Sequence, residues 1–373
     1  MDAGRRTLWP AHSRGLLLRA CFLAGDDARQ AAVAWQAAID WQDHADMGSF
    51  RLLPTLSRRL QDEREDDPLL PRLRGIAKRN WVESRRFLEE LKPLLGILRE
   101  SAIDCMFLGG AALAFDCCPE YAFDFDRAVT LLVRPADGLQ AIRQLSAAGW
   151  HSVPHLESNL MANYVAAHYT NSMRGGSRLR VELRWRLLPE DCDAAAEAWF
   201  WAAARALPLL ESPLVLQLDA ADHLLWLLAG YGHRDGEQRF ERLVDALLRM
   251  HCGAPIDWKR FTDGVERFGL AEPVSLAAQA LARDGVGLLP ADVAAQLPAL
   301  RRCQRRAIGY QLRTTGPLRA QRFWRLVFRC LHARPGRGPV AALRDFPRFL
   351  QYGWRLPKLR AIARAVLVKL REG

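Results

Sequence analysis

The feature that most constrains the fold is a change of periodicity near residue 101. The segment "IDCMFLGGAALAF" predicts a short buried strand that ends at Gly109-Gly110 and is followed by a helix of small residues. "RAVTLLVRP" predicts a second strand, and "ADGLQAIRQLSAAGW" predicts an amphipathic helix. "ANYVAAHYT" and "RLRVELRWRLLP" predict the two strands of a hairpin with a glycine pair in its turn. Residues 101 to 188 therefore predict a compact α+β unit.

Helices are predicted on both sides of this unit, because apolar residues recur there at spacings of three and four. The predicted fold class is α+β, with a small mixed sheet flanked by helical regions. We expect four regions along the chain: an N-terminal helical region 1–100, an α+β core 101–215, a helical domain 216–300 and a basic helical segment 301–373. The following tryptophans lie in apolar periodic segments and are expected in the core: Trp41, Trp81, Trp185, Trp226 and Trp258.

Composition excludes several classes of protein. Half of the residues are apolar and a quarter are charged, which is typical of globular rather than disordered chains. The uncharged stretches are shorter than the roughly 18 residues that cross a bilayer. The apolar run near the N-terminus is broken by Arg19, so no signal peptide is expected. The eight cysteines show no C-x-x-C and no zinc spacing, which predicts reduced thiols rather than a disulfide framework.

The net charge of +11 is concentrated at the C-terminal end. Residues 301–373 contain 19 Lys and Arg against two acidic residues, a balance of +17, so the first 300 residues sum to −6. Arginines mixed with apolar residues at helical spacing fit three interpretations: packing on the protein with solvated charges, contact with an anionic membrane surface, or contact with a nucleic acid or another polyanion.

Carboxylates near the second strand indicate phosphoryl or nucleotidyl transfer chemistry. Two carboxylates at i and i+2 share one face of a strand and can hold two divalent ions about 3.5–4 Å apart. Asp124 and Asp126 have this spacing, and Glu182 lies on the predicted hairpin, where a third carboxylate would complete such a site. A glycine pair that opens a helix lets phosphate oxygens approach backbone N–H groups.

With these motifs the chain resembles the uncharacterised bacterial nucleotidyltransferases of the polymerase-β-like superfamily. The resemblance rests on "FLGGAALAFDCCP", "AVTLLVRPAD" and "VELRWRL", and extends to "IDWQDHADMGSFRLLPTL" and to "DHLLWLLAGYGHRDGEQRFERLVDALLRMHCGAPIDW". It implies a nucleotidyltransferase-type sheet and Mg²⁺-dependent transfer of a nucleoside monophosphate from an NTP to an unidentified protein or small molecule. It also implies a bacterial, cytoplasmic protein, with peripheral membrane contact left open. Gly109, Gly110 and Arg184 become candidate nucleotide-binding residues.

The departures from the family pattern concern its polar positions. With Gly110 and Pro119 in register, the two acids of the family's D-x-D fall on Ala128 and Thr130. The family's Lys and His are replaced by Gly109 and Arg184, and a helical His downstream is replaced near Gly230. Glu182 keeps an acid at the third position.

Asp124 and Asp126 can replace the missing pair only if the strand is rebuilt. On a continuous strand they share a face with Ala128 and Thr130, but four residues place them about 13 Å further back. The alternative is that they are loop acids near basic residues such as Arg127, with Glu182 paired to an arginine of its own strand.

Three hypotheses follow. The first is a nucleotidyltransferase-fold protein without its metal-binding pair, which binds a nucleotide or a partner as a pseudoenzyme. The second is an active enzyme that uses Asp124, Asp126 and Glu182 with Mg²⁺. The third is a basic adaptor that docks on a membrane or polyanion through residues 301–373.

Overall fold

The computed structural model confirms the predicted α+β class. It describes residues 9, 11–63, 66–122, 128–152, 161, 165, 170–175, 179–188, 194–207, 215–233, 236–252, 254–287, 289–300, 324, 327, 330, 339–354, 356 and 358–371. The chain divides into two compact units. Unit 1 comprises Met1–Glu89, Leu113–Phe125 and His223–Arg301, and unit 2 comprises Glu90–Ala112, Asp126–Asp222 and Arg302–Gly373.

The β-sheet belongs to unit 2, and in the described ranges its strands are β1 Cys105–Leu108, β2 Ala128–Val133, β3 His151–Ser152, β4 Thr170–Arg174, β5 Arg180–Arg184, β6 Arg205–Ala206 and β7 Val215–Gln217. Their order across the sheet is β3-β4-β5-β2-β1-β7-β6. β2 runs antiparallel to β1 and parallel to β5, and β4 and β5 are antiparallel. β1 also pairs in parallel with β7.

One face of the central strands is strongly apolar. Val129 and Leu131 of β2 pair across the strands with Val181 and Leu183 of β5, and Leu131 also pairs with Phe107 of β1. All five side chains are at most 2 % exposed. Because a slip of one residue would turn this set to the opposite face, burial fixes the register of β2 against both neighbours.

The helices of the described residues are α1 Ala11–Phe22, α2 Gly25–Ala38, α3 Met47–Glu63, α4 Leu70–Glu100, α5 Gly110–Asp116, α6 Gly138–Ala147, α7 Ala194–Ala202, α8 Ala220–Ala229, α9 Gly236–His251, α10 Trp258–Arg267, α11 Ala271–Arg283, α12 Ala291–Gln296, α13 Pro339–Trp354 and α14 Ala361–Arg371. Short 3₁₀ helices cover Gly230–His233 and Leu297–Ala299. None of the described helices is long and apolar enough to cross a membrane.

The N-terminal part of unit 1 has an aromatic centre. Trp9, Trp35 and Trp41 meet edge to face with ring centroids 5.5–5.8 Å apart. Trp35 is fully buried, and the Arg72 guanidinium covers the Trp41 ring at 4.1 Å. Edge-to-face pairs of this kind add about 0.5–1.5 kcal/mol beyond burial of area.

A buried charge network joins α3 to α9 in unit 1. The Arg51 guanidinium lies 3.0 Å from Glu241 Oε2 and 3.5 Å from Asp245 Oδ1, and its Nε donates to Ala122 O at 3.1 Å. The Tyr121 hydroxyl donates to Asp245 Oδ1 at 2.9 Å. Glu241 and Asp245 are four residues apart and so lie on one face of α9. Their ion pairs with Arg51 therefore join α9 to α3, in addition to the packing between the two helices.

The structure confirms the predicted order of strand, helix, strand, helix and hairpin in unit 2, and it places helices α8 to α11 where periodicity predicted them. Two predictions were wrong. Within the hairpin strand predicted over 162–170, Val165 is helical, and the described strand is Thr170–Arg174. Of the five tryptophans expected in the core, only Trp185 and Trp226 are buried, and Trp81 is 43 % exposed.

Candidate functional site

The candidate site is centred on the first half of β2. Strand pairing determines which side chains lie next to one another there. Thr130 pairs with Glu182 of β5 on one side and with Leu108 of β1 on the other. Ala128 pairs with Arg180. Cross-strand partners present their side chains on the same face of a sheet. Ala128 and Thr130, the positions predicted to correspond to the two acids of the family pattern, therefore share a face with Glu182.

The polar face carries more positive than negative charge. Glu182 pairs with Ser172 of β4, and Arg180 pairs with Arg174. Residues i and i+2 of a strand share a face, so Arg184 is on this face as well. Among these described positions three guanidiniums accompany one carboxylate. A face with net positive charge attracts anions, whereas a two-metal site needs several carboxylates close together.

Arg184 is held in place by its own strand and by the turn that follows. Its side chain is 7 % exposed, and its Nη1 lies 3.6 Å from Glu182 Oε1. Its Nε and Nη2 donate to the carbonyls of Arg186 and Leu187, each at 3.4 Å. The interpretation that Glu182 pairs with an arginine of its own strand is confirmed.

A buried carboxyl group supports the same turn from α7. Glu197 is 5 % exposed and accepts a hydrogen bond from the Leu187 backbone N–H at 3.0 Å. Desolvation raises the pKa of Glu197, while the Leu187 N–H and the charges of Arg186 and Arg184 act in the opposite direction. Arg184 thus pairs with Glu182 on its own strand, and its charge also acts on Glu197 of α7.

The glycine pair lies at the end of β1, beside the register partner of Thr130. β1 ends at Leu108, Gly109 has φ +61°, and α5 begins at Gly110. This left-handed backbone is accessible to glycine without strain. The tight strand-to-helix turn predicted at Gly109-Gly110 is confirmed, and Gly110 is half-buried.

The described donor set does not fit a pair of divalent ions. Ala128 has no ligating atom, Thr130 offers a neutral hydroxyl, and Glu182 is the only carboxylate on this face within the ranges that the structure describes. Consistent with this, no group of three or more His, Cys, Asp or Glu side chains among the described residues could hold a metal ion. Asp124 and Asp126 lie outside the described residues, so their role stays a prediction.

Comparison with known proteins identifies the chain. The model of the uncharacterised nucleotidyltransferase family matches residues 37–283. The chain belongs to that family. The resemblance seen in its motifs is thereby confirmed, and the matched region includes the strand pair that carries Thr130 and Glu182. No curated protein matches the chain.

Several polar residues of the family region in unit 1 have structural roles. Asp46 is 3 % exposed, accepts from the backbone N–H and the hydroxyl of Ser49 at 3.0 and 2.8 Å, and pairs with Arg14 at 3.1 Å. Asp257 caps α10 by accepting from the Arg260 N–H at 3.0 Å. Both carboxylates accept a backbone N–H at the start of a helix, which gives "ADMGSF" and "APIDW" a structural role.

Proposed function

We propose that this nucleotidyltransferase-family protein is a pseudoenzyme that binds a nucleotide and does not transfer it. The observation that carries the proposal is the pairing of Thr130, rather than an acid, with Glu182. Thr130, opposite Glu182, has a neutral hydroxyl, and Ala128, opposite Arg180, has no ligating atom, so one carboxylate on these strands is left to hold divalent ions. Transfer of a nucleoside monophosphate by two metal ions needs more carboxylate ligands than Glu182 alone.

The charge of the polar face supports phosphate binding without a metal ion. Arg174 and Arg180 outnumber Glu182 there, and Glu182 is already paired with the buried Arg184, whose other N–H groups donate to the following turn. Guanidinium groups bind phosphate oxygens through paired N–H donors. The half-buried Gly110 and the turn at Gly109 add backbone close to the same strand end. The proposed ligand is therefore an NTP or a related nucleotide that binds through its phosphates.

Binding in the absence of divalent ions is the first test. ATP and GTP binding to the full chain is measured by calorimetry in EDTA and in Mg²⁺. The proposal predicts binding in both buffers, weakened by Arg180→Ala. The matched variant Glu182→Gln removes the single negative charge of the face and is expected to bind more tightly. Binding that disappears in EDTA would contradict the proposal.

Turnover is the second test, because family membership favours an active enzyme as the alternative function. The chain is incubated with each NTP and with Mg²⁺ or Mn²⁺, and pyrophosphate release and self-modification are measured. No turnover is expected. Release of pyrophosphate that Asp126→Asn abolishes would establish the enzyme that uses Asp124, Asp126 and Glu182 with Mg²⁺, and would overturn the pseudoenzyme proposal.

We also propose a bacterial cytoplasmic location with peripheral contact to anionic membranes through the C-terminal helices. In α13, α14 and the turn between them, exposed basic side chains accompany exposed apolar ones: Arg344, Arg348, Lys358, Arg360 and Arg364 with Val340, Leu343 and Leu359. Such mixed surfaces bind anionic lipids. Cosedimentation with phosphatidylglycerol vesicles, compared with phosphatidylcholine vesicles, tests this. Equal binding of a chain lacking 301–373 would exclude it, and preference for a polyanion would favour the adaptor hypothesis.

A further inference from the structure

Three cysteine thiols meet in unit 1, at the ends of two helices. Cys117 and Cys118 directly follow α5, and Cys252 directly follows α9. The Sγ atoms of Cys117 and Cys118 are 3.8 Å apart, and the side chains of Cys118 and Cys252 are hydrogen-bonded to each other. We call these three residues the thiol cluster. Sequence spacing gave no sign of it, since Cys252 is more than a hundred residues from the other two.

Two guanidinium groups contact the thiol cluster, and the carboxylates of Asp116 and Glu120 act on these guanidinium groups in turn. Arg58 Nη2 of α3 lies 3.8 Å from Cys252 Sγ, and Arg249 Nη1 of α9 lies 3.8 Å from Cys117 Sγ. His251 is adjacent to Cys252 in the chain. The hydrogen bond from the Cys118 thiol lowers the pKa of Cys252 to about 6, with Arg58 and His251 acting in the same direction against burial. Hydrogen bonding to Cys117 and Cys252, together with burial, raises the pKa of Cys118.

These surroundings assign different chemistry to the two sulfurs. Cys252 is half-buried and carries the character of a thiolate, the form of cysteine that attacks peroxides. Cys118 is buried and holds its proton. By contrast, burial raises the pKa of both Cys21 and Cys105 to about 12, and neither is part of a thiol cluster. A reactive thiolate with a second thiol beside it is the arrangement of redox-responsive cysteines.

We propose that Cys252 and Cys118 are a peroxide-sensitive pair that forms a disulfide between the end of α9 and the turn after α5. The Cys252 thiolate attacks one oxygen of hydrogen peroxide, the O–O bond breaks, and hydroxide leaves, which yields a sulfenic acid. The Cys118 sulfur then attacks the Cys252 sulfur, the S–O bond breaks, and the Cys118 proton accompanies the departing oxygen as water. Two electrons pass from the two sulfurs to the peroxide, and a thiol reductant reverses the reaction.

Geometry favours Cys118 over the alternative of a bond between the neighbours Cys117 and Cys118. Adjacent Cα atoms are about 3.8 Å apart. Most disulfides join Cα atoms about 4.4–6.8 Å apart, and departures from that range are strained. Cys117 is instead held by Arg249, whose Nη1 also lies 2.6 Å from Asp116 Oδ2. Cys117 therefore serves as the matched control.

The test is a peptide map of the full chain after treatment with hydrogen peroxide, digested without reduction and analysed by mass spectrometry. The expected product is a Cys118–Cys252 cross-linked peptide that has lost two hydrogen atoms and disappears on addition of dithiothreitol. Cys117→Ser is expected to keep it. Cys118→Ser is expected to leave a sulfenic acid on Cys252 that dimedone traps, and Cys252→Ser is expected to give neither product.

A second readout uses the wild-type chain and does not depend on folding of these variants. The rate at which iodoacetamide alkylates Cys252 is expected to be half-maximal near pH 6. Arg58→Met should move that midpoint upward, toward the ordinary thiol value of about 8.5. A dominant Cys117–Cys118 bond, a disulfide between chains, or an alkylation midpoint at the ordinary thiol value in the wild type overturns the proposal.

Discussion

Thr130 of β2 lies directly opposite Glu182 of β5 in a parallel strand pair whose register is fixed by buried neighbours. A carboxylate therefore faces a hydroxyl at one of the two positions predicted to correspond to the acids of the family pattern. Relative to that predicted pattern, the strand pairing of β2 is retained and the negative charges at Ala128 and Thr130 are absent. If the proposed absence of a metal-binding pair is correct, substitution on β2 should create one, because Ala128 and Thr130 share a face with Glu182.

The double substitution Ala128→Asp with Thr130→Asp is expected to create a divalent-ion site. Two new carboxylates would share a face with Glu182, and oxygen ligands of this kind bind Mg²⁺ and Mn²⁺. We expect Mn²⁺ affinity, measured by titration with electron paramagnetic resonance, to rise by about tenfold or more over the wild type.

The control for this gain is Glu182→Gln in the doubly substituted chain, which should remove most of it. Circular dichroism checks that each variant is folded. If the wild type already binds Mn²⁺ as tightly as the double variant, and Asp126→Asn abolishes that binding, the segment before β2 supplies the ligands and our interpretation of Thr130 is wrong.

Sequence patterns predicted the centre of the sheet better than its edge. β1, β2 and the hairpin partner β5 were predictable because each has a distinct apolar pattern. β6 and β7 were not predicted, since they have only two and three residues and form by pairing next to β1. Trp81 was expected in the core because periodicity counts its ring as apolar. The ring instead lies exposed with the Arg85 guanidinium 5.5 Å above it.

The sequence predicted that Glu182 lies on a strand near Thr130, which the structure confirms, but it did not predict the charge of this face. Spacing from Gly110 and Pro119 placed the family acids at Ala128 and Thr130, and the structure puts Thr130 beside Glu182. The basic character of the face depends on cross-strand partners such as Arg174. Pairing of that kind is set by the register of the folded sheet, and a linear sequence contains no direct record of it.

Arg51→Met is expected to destabilise the protein strongly. Arg51 is 7 % exposed, and its removal leaves Glu241 and Asp245 without their buried cation. Breaking a buried pair by removing one partner costs about 3–5 kcal/mol. Thermal unfolding monitored by circular dichroism should show a large fall in the midpoint. Arg29→Met, which removes an exposed pair with Asp26, should leave the midpoint almost unchanged. Equal effects of the two substitutions would contradict a structural role for the network.

Stability is expected to fall below pH 6.5 because of His223. This side chain is 2 % exposed, and burial, with the charges of Arg249 and Arg242, places its pKa well below the ordinary value of 6.5. Below that pH the unfolded chain binds a proton that the folded chain does not, so acid favours unfolding by up to about 1.4 kcal/mol per pH unit. Above pH 6.5 the residue is neutral in both states and contributes no slope.

The measurement is urea unfolding between pH 7.5 and 5.5. His223→Gln should remove part of the loss of stability on acidification, whereas His12→Gln, at an exposed position, should not. A wild-type profile without any loss below pH 6.5, or an identical profile for His223→Gln, would show that the folded protein accommodates the charged imidazole.

Two helical glycines of unit 1 are expected to respond oppositely to alanine. A Cβ on Gly48, in the first turn of α3, would lie 2.4 Å from Cδ1 of the buried Phe240 ring and 3.3 Å from Asp46 Oδ1. Overpacking of this kind costs about 1–3 kcal/mol, more than the gain in helix propensity of about 1 kcal/mol. Gly75 is exposed within α4 and has no atom within 4 Å of such a Cβ. Gly75→Ala should therefore raise the midpoint of thermal unfolding, and Gly48→Ala should lower it. If Gly48→Ala is stabilising, the Phe240 ring moves away from the new Cβ without cost. The contact between α3 and α9 would then be less tightly packed than the structure indicates.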